Sequence, residues 1–300
     1  MSPELATQLV SAQFPKLVED PTVSLVGEGW DNWVYAVGRW LFRFPRRRVA
    51  IPLIQREIAV LPHLATRVPL PIPNPLWVGK PSDAYPYPFF GYAPVPGSPV
   101  ASQSLSLTDR VRSAAPLASF LKGLHQLSPE FGEASGAGPP TLGRLDLGVR
   151  LPRLYRWLED AKRLGLVSDE TPFLCEARRI EGCGATLDEV CVVHGDLNFK
   201  NVLIDGTGVL SGVIDWGDCH VGLPATDFLF PIGFLPASGQ KIFRDAYGPI
   251  DQQAWQMGRF LAMFVNLIVL VSAHSFGHTQ DMQEARWELG NILSIDPVTL

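Results

Sequence analysis

Residues 190–217 run VCVVHGDLNFKNVLIDGTGVLSGVIDWG, and the rest of the chain is best understood around them. The apolar, β-branched runs at 190–193, 202–205 and 209–216 have the length and composition of short buried strands. A polar loop between the first two carries His194, Asp196 and Asn201, and the third run ends on a second acid, Asp215. Strand ends that gather two carboxylates and an amide point to a site for Mg²⁺ and a phosphate ester. Hard cations take oxygen ligands, and Mg²⁺ commonly uses one or two carboxylates together with substrate phosphates. Taken singly, each residue has a plain structural use. Asp205-Gly206 reads as a hairpin turn, because glycine accepts positive φ. Asp196 reads as a loop acid and Asp215 as a strand-end acid or helix cap. The combination carries the chemical meaning.

The chain has 300 residues, 46% hydrophobic and 18% charged. That is enough for a large core and is at the upper limit for one domain, so two lobes are expected. A net charge of −5 argues against nucleic-acid binding, which needs a clustered basic surface. The basic run Arg46-Arg47-Arg48 is short and reads as a solvated turn or as a support for nucleotide phosphates. Cysteines stand at 175, 183, 191 and 219, without zinc or C-x-x-C spacing. Reduced thiols in a cytoplasmic protein are expected, with Cys191 in the core. No secretory leader is expected at the N-terminus. The apolar stretch FLAMFVNLIVLVSA, 260–273, is shorter than the ~20 residues that cross a bilayer. It contains Asn266 and reads as a buried helix, so no membrane partner is expected. His274 and His278 are spaced to share a helix face, but no third metal ligand lies nearby.

Helical periodicity covers 4–19, ended by Pro21. Strands are expected at 22–26, 33–37 and 40–44, joined by the glycine-containing connector 27–32 and a tight turn at Gly38-Arg39. A helix at 54–64 has Glu57 in its first turn, and a Pro-rich connection precedes strands at 76–79 and 89–94. The Pro96-Gly97 turn and the Ser/Pro-rich residues to about 104 mark a boundary. Beyond it a helix is expected at 108–127, with Leu117, Phe120, Leu121 and Leu124 on its apolar face. A mobile loop is expected at 129–140, and helices at 150–164 and 172–187.

In this setting His194-Gly195-Asp196-Leu197-Asn198-Phe199-Lys200-Asn201, followed by Ile214-Asp215-Trp216, resembles the catalytic core of the aminoglycoside and macrolide phosphotransferase family. That family has a protein-kinase-like fold and carries H-G-D-L-x-x-x-N, then I-D-W or I-D-F. Gly123-Leu124-His125 and Pro224-Ala225-Thr226-Asp227 match further recurrent positions. The resemblance implies an α+β, two-lobed fold: an N-lobe of antiparallel sheet that binds nucleotide, residues 1–95, and a mainly helical C-lobe for catalysis and acceptor binding, residues 96–300. It implies Asp196 as the base that orients the acceptor hydroxyl, and Asn201 and Asp215 as the Mg²⁺ ligands. It makes His194 and Asp227 supports of the loop. It places Gly27 and Gly29 over the phosphates of ATP or GTP, and puts Phe90 and Tyr92 in a hinge whose backbone would bond the purine.

The glycine pattern lacks the third glycine of the protein-kinase loop, and no Walker A sequence occurs. Kinases hold the α/β-phosphates with a lysine on the third strand, paired to a helix glutamate. This chain has Arg43, which alternates with Phe42 and Phe44 and so points opposite to them; Glu57 is its expected partner. A planar fork is not a point charge, and a surface strand arginine is the alternative use of Arg43. The expected activity is Mg²⁺-dependent O-phosphotransfer to a small hydroxyl-bearing molecule, as a monomer. The acceptor stays open among aminoglycosides, macrolides and metabolite alcohols or sugars. A cationic aminoglycoside would favour an acidic cleft, yet acids and bases nearly balance over 100–190. Asp218 is one candidate acceptor contact. Trp255, Phe260, Phe264 and Phe276 either line an apolar acceptor pocket or belong to the core. A non-catalytic nucleotide-binding pseudokinase and a metal-dependent phosphohydrolase are the competing classes.

Overall fold

The computed structural model describes residues 1–17, 23–140, 143–181 and 189–295. Ser2 caps the first helix, α1 (Pro3–Gln13), by accepting from the Leu5 N–H at 3.3 Å. The helix stops at Gln13 instead of continuing to 19. Phe14 leaves helical space there and sets its ring against Phe42, Trp77 and Phe89. The expected stop at Pro21 lies outside the described residues.

Strands β1 (Val23–Glu28), β2 (Asn32–Val37) and β3 (Trp40–Pro45) form an antiparallel meander. Its second turn uses Gly38 at φ +56°, a conformation that costs glycine little. Helix α2 (Ile51–Leu64) begins three residues earlier than its periodicity implied, which moves Glu57 into the second turn. Strands β4 (Trp77–Gly79) and β5 (Phe89–Tyr92) complete a five-stranded sheet ordered β1-β2-β3-β5-β4. One face of this sheet is aromatic. Tyr35, Phe42, Phe44, Tyr85 and Phe89 pack with Ala6, Leu9 and Val10 of α1 into a core of their own. Each such ring contributes roughly 2 kcal/mol by leaving water. A second, larger core belongs to the helices, and α2 gives Ile54, Val60, Leu61 and Leu64 to it.

The Pro96-Gly97 turn leads into a short strand, β6 (Ser98–Pro99). The expected helix over 108–127 is two: α3 (Leu107–Arg112), opened by a Ser106–Asp109 capping box, and α4 (Ala114–His125). The break falls at Ser113, whose N–H turns to the carbonyls of both Asp109 and Arg110. The expected mobile loop at 129–140 contains a helix, α5 (Pro129–Ser135). Ser128 caps it through the Phe131 N–H, and Gly136 ends it at φ +96°. Then follow α6 (Leu147–Arg163), capped by Asp146, and α7 (Thr171–Glu181). The remainder of the helix expected to reach 187 lies outside the described residues.

The 190–217 segment supplies β7 (Cys191–Val193), β8 (Val202–Ile204) and β9 (Leu210–Val213), and β10 (His220–Gly222) follows. β7 pairs with β10, while β8 is flanked by β6 and β9. The β8–β9 turn is held by Asp205, whose Oδ1 accepts from the Thr207 and Val209 N–H groups, and its positive φ falls on Gly208 instead of Gly206. β9 stops at Val213, two residues short of Asp215.

Helix α8 (Ala225–Phe234) is wholly buried; α9 (Ala237–Tyr247), α10 (Gln252–Phe276) and α11 (Thr279–Ser294) pack around it. At 25 residues α10 is long and apolar enough to cross a membrane by length and composition, and 61% of its most apolar window is buried inside the protein. Trp255, Phe260 and Phe264 are core residues, whereas Phe276 is exposed. Gly277 at φ +73° ends α10, so His278 lies beyond the helix that carries His274. Among the described residues no group of three His, Cys, Asp or Glu is placed to hold a metal. Cys175, Cys191 and Cys219 are free thiols, with Cys191 and Cys219 buried; Cys183 lies outside the described residues.

Candidate active site

The loop after β7 is built on a buried carboxylate. Asp227, in the first turn of α8, accepts from the backbone N–H groups of His194 at 2.7 Å and Gly195 at 2.9 Å. Its Oδ2 also meets His125 Nε2 at 3.1 Å, and His125 Nδ1 lies 2.8 Å from the Tyr247 hydroxyl. Burial pushes the Asp227 carboxyl up, but His125, His194 and the Gly195 N–H outweigh it and hold the group below its ordinary value. His194 is buried against Trp216, with ring centroids 4.6 Å apart. Its Nδ1 accepts from the Asp196 N–H at 3.2 Å, so the ring proton sits on Nε2, 3.1 Å from the Ile214 carbonyl oxygen. Gly195 takes φ +84°, and a Cβ there would stand 2.2 Å from the Asp218 carbonyl oxygen.

This scaffold brings Asp196, Asn201 and Asp215 together. Asn201 Nδ2 donates to the Asp196 carbonyl at 2.8 Å and to Asp196 Oδ2 at 3.1 Å. The Asn201 carbonyl accepts from the Ile214 N–H at 2.8 Å, which ties β8 to the residue preceding Asp215. Asp215 is the only described non-glycine residue with positive φ, at +67°. That is a strained backbone, of the kind that collects at functional sites. Burial raises the Asp196 carboxyl above its ordinary value, helped by Asp215 and Asp218 and opposed by Arg144.

Arg43 joins the sheet to this centre. It pairs with Asp215, and its Nε lies 3.0 Å from Glu57 Oε2 in α2. Glu57 Oε1 accepts from the Trp216 N–H at 2.9 Å. Burial holds the Glu57 carboxyl above its ordinary range despite Arg43. Burial also opposes the charge of Asp215, but the pull of Arg43 and of His194 brings that carboxyl below its usual value. With its amide turned, Asn32 accepts from Arg43 Nη2 and Nε at 3.0 and 3.2 Å.

The glycine connector differs from expectation. Gly27 lies within β1 at a bulge, neither Gly27 nor Gly29 has positive φ, and a Cβ at either would meet only ordinary contacts at 3.9 and 3.6 Å. What these glycines offer is a bare backbone. Arg46 pairs with Glu28 and Arg47 with Asp31, so the basic run braces this connector. Trp30 at its tip meets Phe276 edge-on at the end of α10, with ring centroids 6.0 Å apart. Phe90 and Tyr92 stand opposite Arg43 and Leu41 across the β3–β5 ladder, and both are buried.

Sequence reasoning missed Arg144, which no motif marks. Its Nη2 lies 2.8 Å from Asp196 Oδ1 and 3.1 Å from Asp218 Oδ2, so it connects Asp218 to the proposed base. Asn32 also lacked a signal, and Gly195 was legible only as part of the H-G-D run. A cavity of about 300 Å³ opens beside Arg144 and Asp218, walled by Leu145, Val190, Val221 and Leu223.

The donor set suits Mg²⁺. Among the described residues nothing donates to Asn201 Oδ1 or Asp215 Oδ2, leaving one amide and one carboxylate oxygen free, as a hard cation shared with phosphates requires.

A family model described as the phosphotransferase enzyme family matches residues 22–261. The chain belongs to that family. Among solved structures, the GDP complex of wild-type aminoglycoside 2'-phosphotransferase-IIIa is similar to this phosphotransferase with a TM-score of 0.71 and 23% identity, over 98% of this chain and 99% of that one. The apoenzyme of macrolide 2'-phosphotransferase MphH from Brachybacterium faecium aligns with a TM-score of 0.62 and 18% identity, over 95% and 98%. An ADP-bound aminoglycoside phosphotransferase, APH(2'')-Ib, aligns with a TM-score of 0.59 and 18% identity, over 98% and 100%. No curated protein matches the phosphotransferase. At these identities the likeness speaks for the fold: an α+β, two-lobed, kinase-like architecture with an antiparallel N-terminal sheet and a helical C-terminal part.

Proposed function

We propose that this chain transfers the γ-phosphate of ATP or GTP to a hydroxyl of a small molecule, with Mg²⁺ as cofactor. The observation that carries the proposal is the convergence of Asp196, Asn201 and Asp215 on one loop system, tied to the sheet by Arg43 and Glu57. Residues 1–95 form the nucleotide lobe and residues 96–300 the catalytic and acceptor lobe. Arg43 and the bare backbone at Gly27 and Gly29 position the triphosphate, and the strand around Phe90 and Tyr92 lies toward the purine. Asn201 Oδ1 and Asp215 Oδ2 hold the metal, which when bound neutralises phosphate charge. Asp196 accepts the proton of the acceptor hydroxyl as its oxygen bonds to the γ-phosphorus and the bond to the departing nucleoside diphosphate breaks. His194 and Asp227 position the loop and move no proton. Holding the reactants in line and balancing charge supply most of the rate. The free thiols fit a cytoplasmic protein.

Antibiotic-like acceptors, aminoglycosides and macrolides, are one set of candidates, drawn from the solved relatives. A metabolite alcohol or sugar is the other, supported by the small cavity and by Arg144 beside the base. The test is nucleotide consumption with Mg²⁺ and ATP or GTP across both sets. Acceptor-dependent turnover that disappears in Asp196→Asn supports phosphotransfer. Nucleotide binding without stimulation by any acceptor supports a pseudokinase, and absence of nucleotide binding removes the role assigned to Arg43.

A further inference from the structure

Resting on the phosphotransfer reading, we propose that the acceptor is a small hydroxy acid and that Arg144 receives its carboxylate. Both ionic contacts of Arg144, to Asp196 and Asp218, use the single terminal nitrogen Nη2. Among the described residues neither Nη1 nor Nε meets an acceptor. Guanidinium offers five N–H donors in a fixed fork that matches a carboxylate edge-on. Here the guanidinium is mostly buried, keeps N–H donors on Nη1 and Nε beside the occupied Nη2, and stands beside the oxygen assigned to take the hydroxyl proton. A carboxylate on these donors leaves a hydroxyl a few bonds away within reach of Asp196.

The surroundings favour the same chemistry. The cavity beside Arg144 measures about 300 Å³, at the low end of the roughly 300–1,000 Å³ typical of small-molecule sites. Its apolar walls suit a short carbon skeleton. Arg150 donates through Nε to the Arg144 carbonyl at 3.2 Å, and Arg153 and Arg156 continue along α6 to a second hollow that they line with Trp157 and Asp160. Burial, Arg144 and Arg153 all push the Arg150 guanidinium the same way, down from its ordinary value. The acids facing this stripe at the base are Asp196 and Asp218, both already on Arg144, and Asp146, whose carboxylate caps α6. A polycation approaching from this side meets arginines first. In the reaction the hydroxyl oxygen of the acid bonds to the γ-phosphorus, the nucleoside diphosphate leaves, and the proton goes to Asp196. The product is a phosphorylated acid.

The experiment uses the full chain with Mg²⁺ and ATP or GTP, and measures nucleoside diphosphate release with short hydroxy acids, their neutral amides, sugar phosphates, amino alcohols, aminoglycosides and macrolides. Nucleotide affinity is measured separately by calorimetry. Hydroxy acids should exceed their own amides in kcat/KM by about tenfold or more, the selectivity of a charge-assisted contact. In Arg144→Gln that ratio should fall to about one, with Arg144→Lys in between. Because it is a ratio, any general loss of kcat from disturbing Asp196 cancels, and nucleotide affinity should not move. A panel in which no hydroxy acid outperforms its amide, or in which sugar phosphates, aminoglycosides or macrolides are preferred, overturns the proposal while intact nucleotide binding leaves phosphotransfer standing. Loss of nucleotide binding in the unmodified chain overturns both. The comparison within that chain stands even if the variants fail to fold.

Discussion

Asp196, Asp215 and Asp227 are one side chain in three settings, and the donors around each decide what it does. Asp227 is ringed by N–H groups and supports a loop. Asp215 faces a guanidinium and keeps one oxygen free. Asp196 is half-buried between an arginine and an amide, and its carboxyl is pushed up. Asp196→Asn should reduce acceptor-dependent turnover by about 10²–10⁴, the range for a lost general base, while calorimetry finds the nucleotide affinity unchanged; full turnover would remove the base assignment. Asp227→Asn turns an NH₂ group against a backbone N–H. Urea unfolding at neutral pH should show a loss of about 3 kcal/mol, the scale for a buried bond broken with its partner left unsatisfied. The pH sign follows from a folded pKa below the ordinary 3.8. The contribution of Asp227 is complete above that ordinary value and is lost as pH falls through the lower folded one. Wild type and Asp227→Asn should therefore converge in stability in acid, and a constant gap down to that pH would contradict the account of a carboxylate held by N–H donors.

At the level of elements, the strands of 190–217 were legible because short β-branched runs were separated by polar residues with no apolar periodicity of their own. Arg43 was legible because strand alternation points it away from Phe42 and Phe44, and Glu57 as its partner because the kinase resemblance implies a strand cation paired to a helix glutamate. Local capping was not legible. Ser128 and Gly136 make a helix of a Gly- and Ala-rich segment, Ser113 breaks another helix, and Asp215 turns into positive φ beyond β9. These outcomes depend on which N–H finds which oxygen, and periodicity carries no such information. Arg144 was invisible for a related reason: its partners lie 52 and 74 residues away in sequence. Two variants test the elements. Gly195→Ala places a methyl group against the Asp218 carbonyl at positive φ, so it should destabilise by more than about 1 kcal/mol and disorder the loop, visible as faster amide exchange at 194–196. Arg43→Lys keeps the charge but loses the planar fork that reaches Glu57 and Asp215 from two separate nitrogens. The nucleotide KM should rise by about tenfold, the scale of one charge-assisted contact, with the melting temperature little changed.

On the scale of the molecule, β5 stands between the two hydrophobic cores, giving Phe89 to one and Phe90 and Tyr92 to the other, while α2 is attached in sequence to the sheet but packed with the helices. Glu57 in α2 joins the sheet to the catalytic strands, with one oxygen beside Arg43 and the other accepting from the Trp216 backbone N–H. Trp30 at the tip of the connector rests against Phe276 at the end of α10. An aromatic pair of this kind is worth about 0.5–1.5 kcal/mol beyond its buried area. That is only a few multiples of thermal energy, so on the proposed reading, in which the Gly27–Gly29 connector covers the nucleotide, the pair would be a weak catch on the mouth of that site. If the connector covers the nucleotide, its release runs on a clock set by two exposed rings. Trp30→Ala should quicken the escape of a fluorescent nucleoside diphosphate by about two- to tenfold in stopped flow, and an unchanged rate would place the slow step elsewhere.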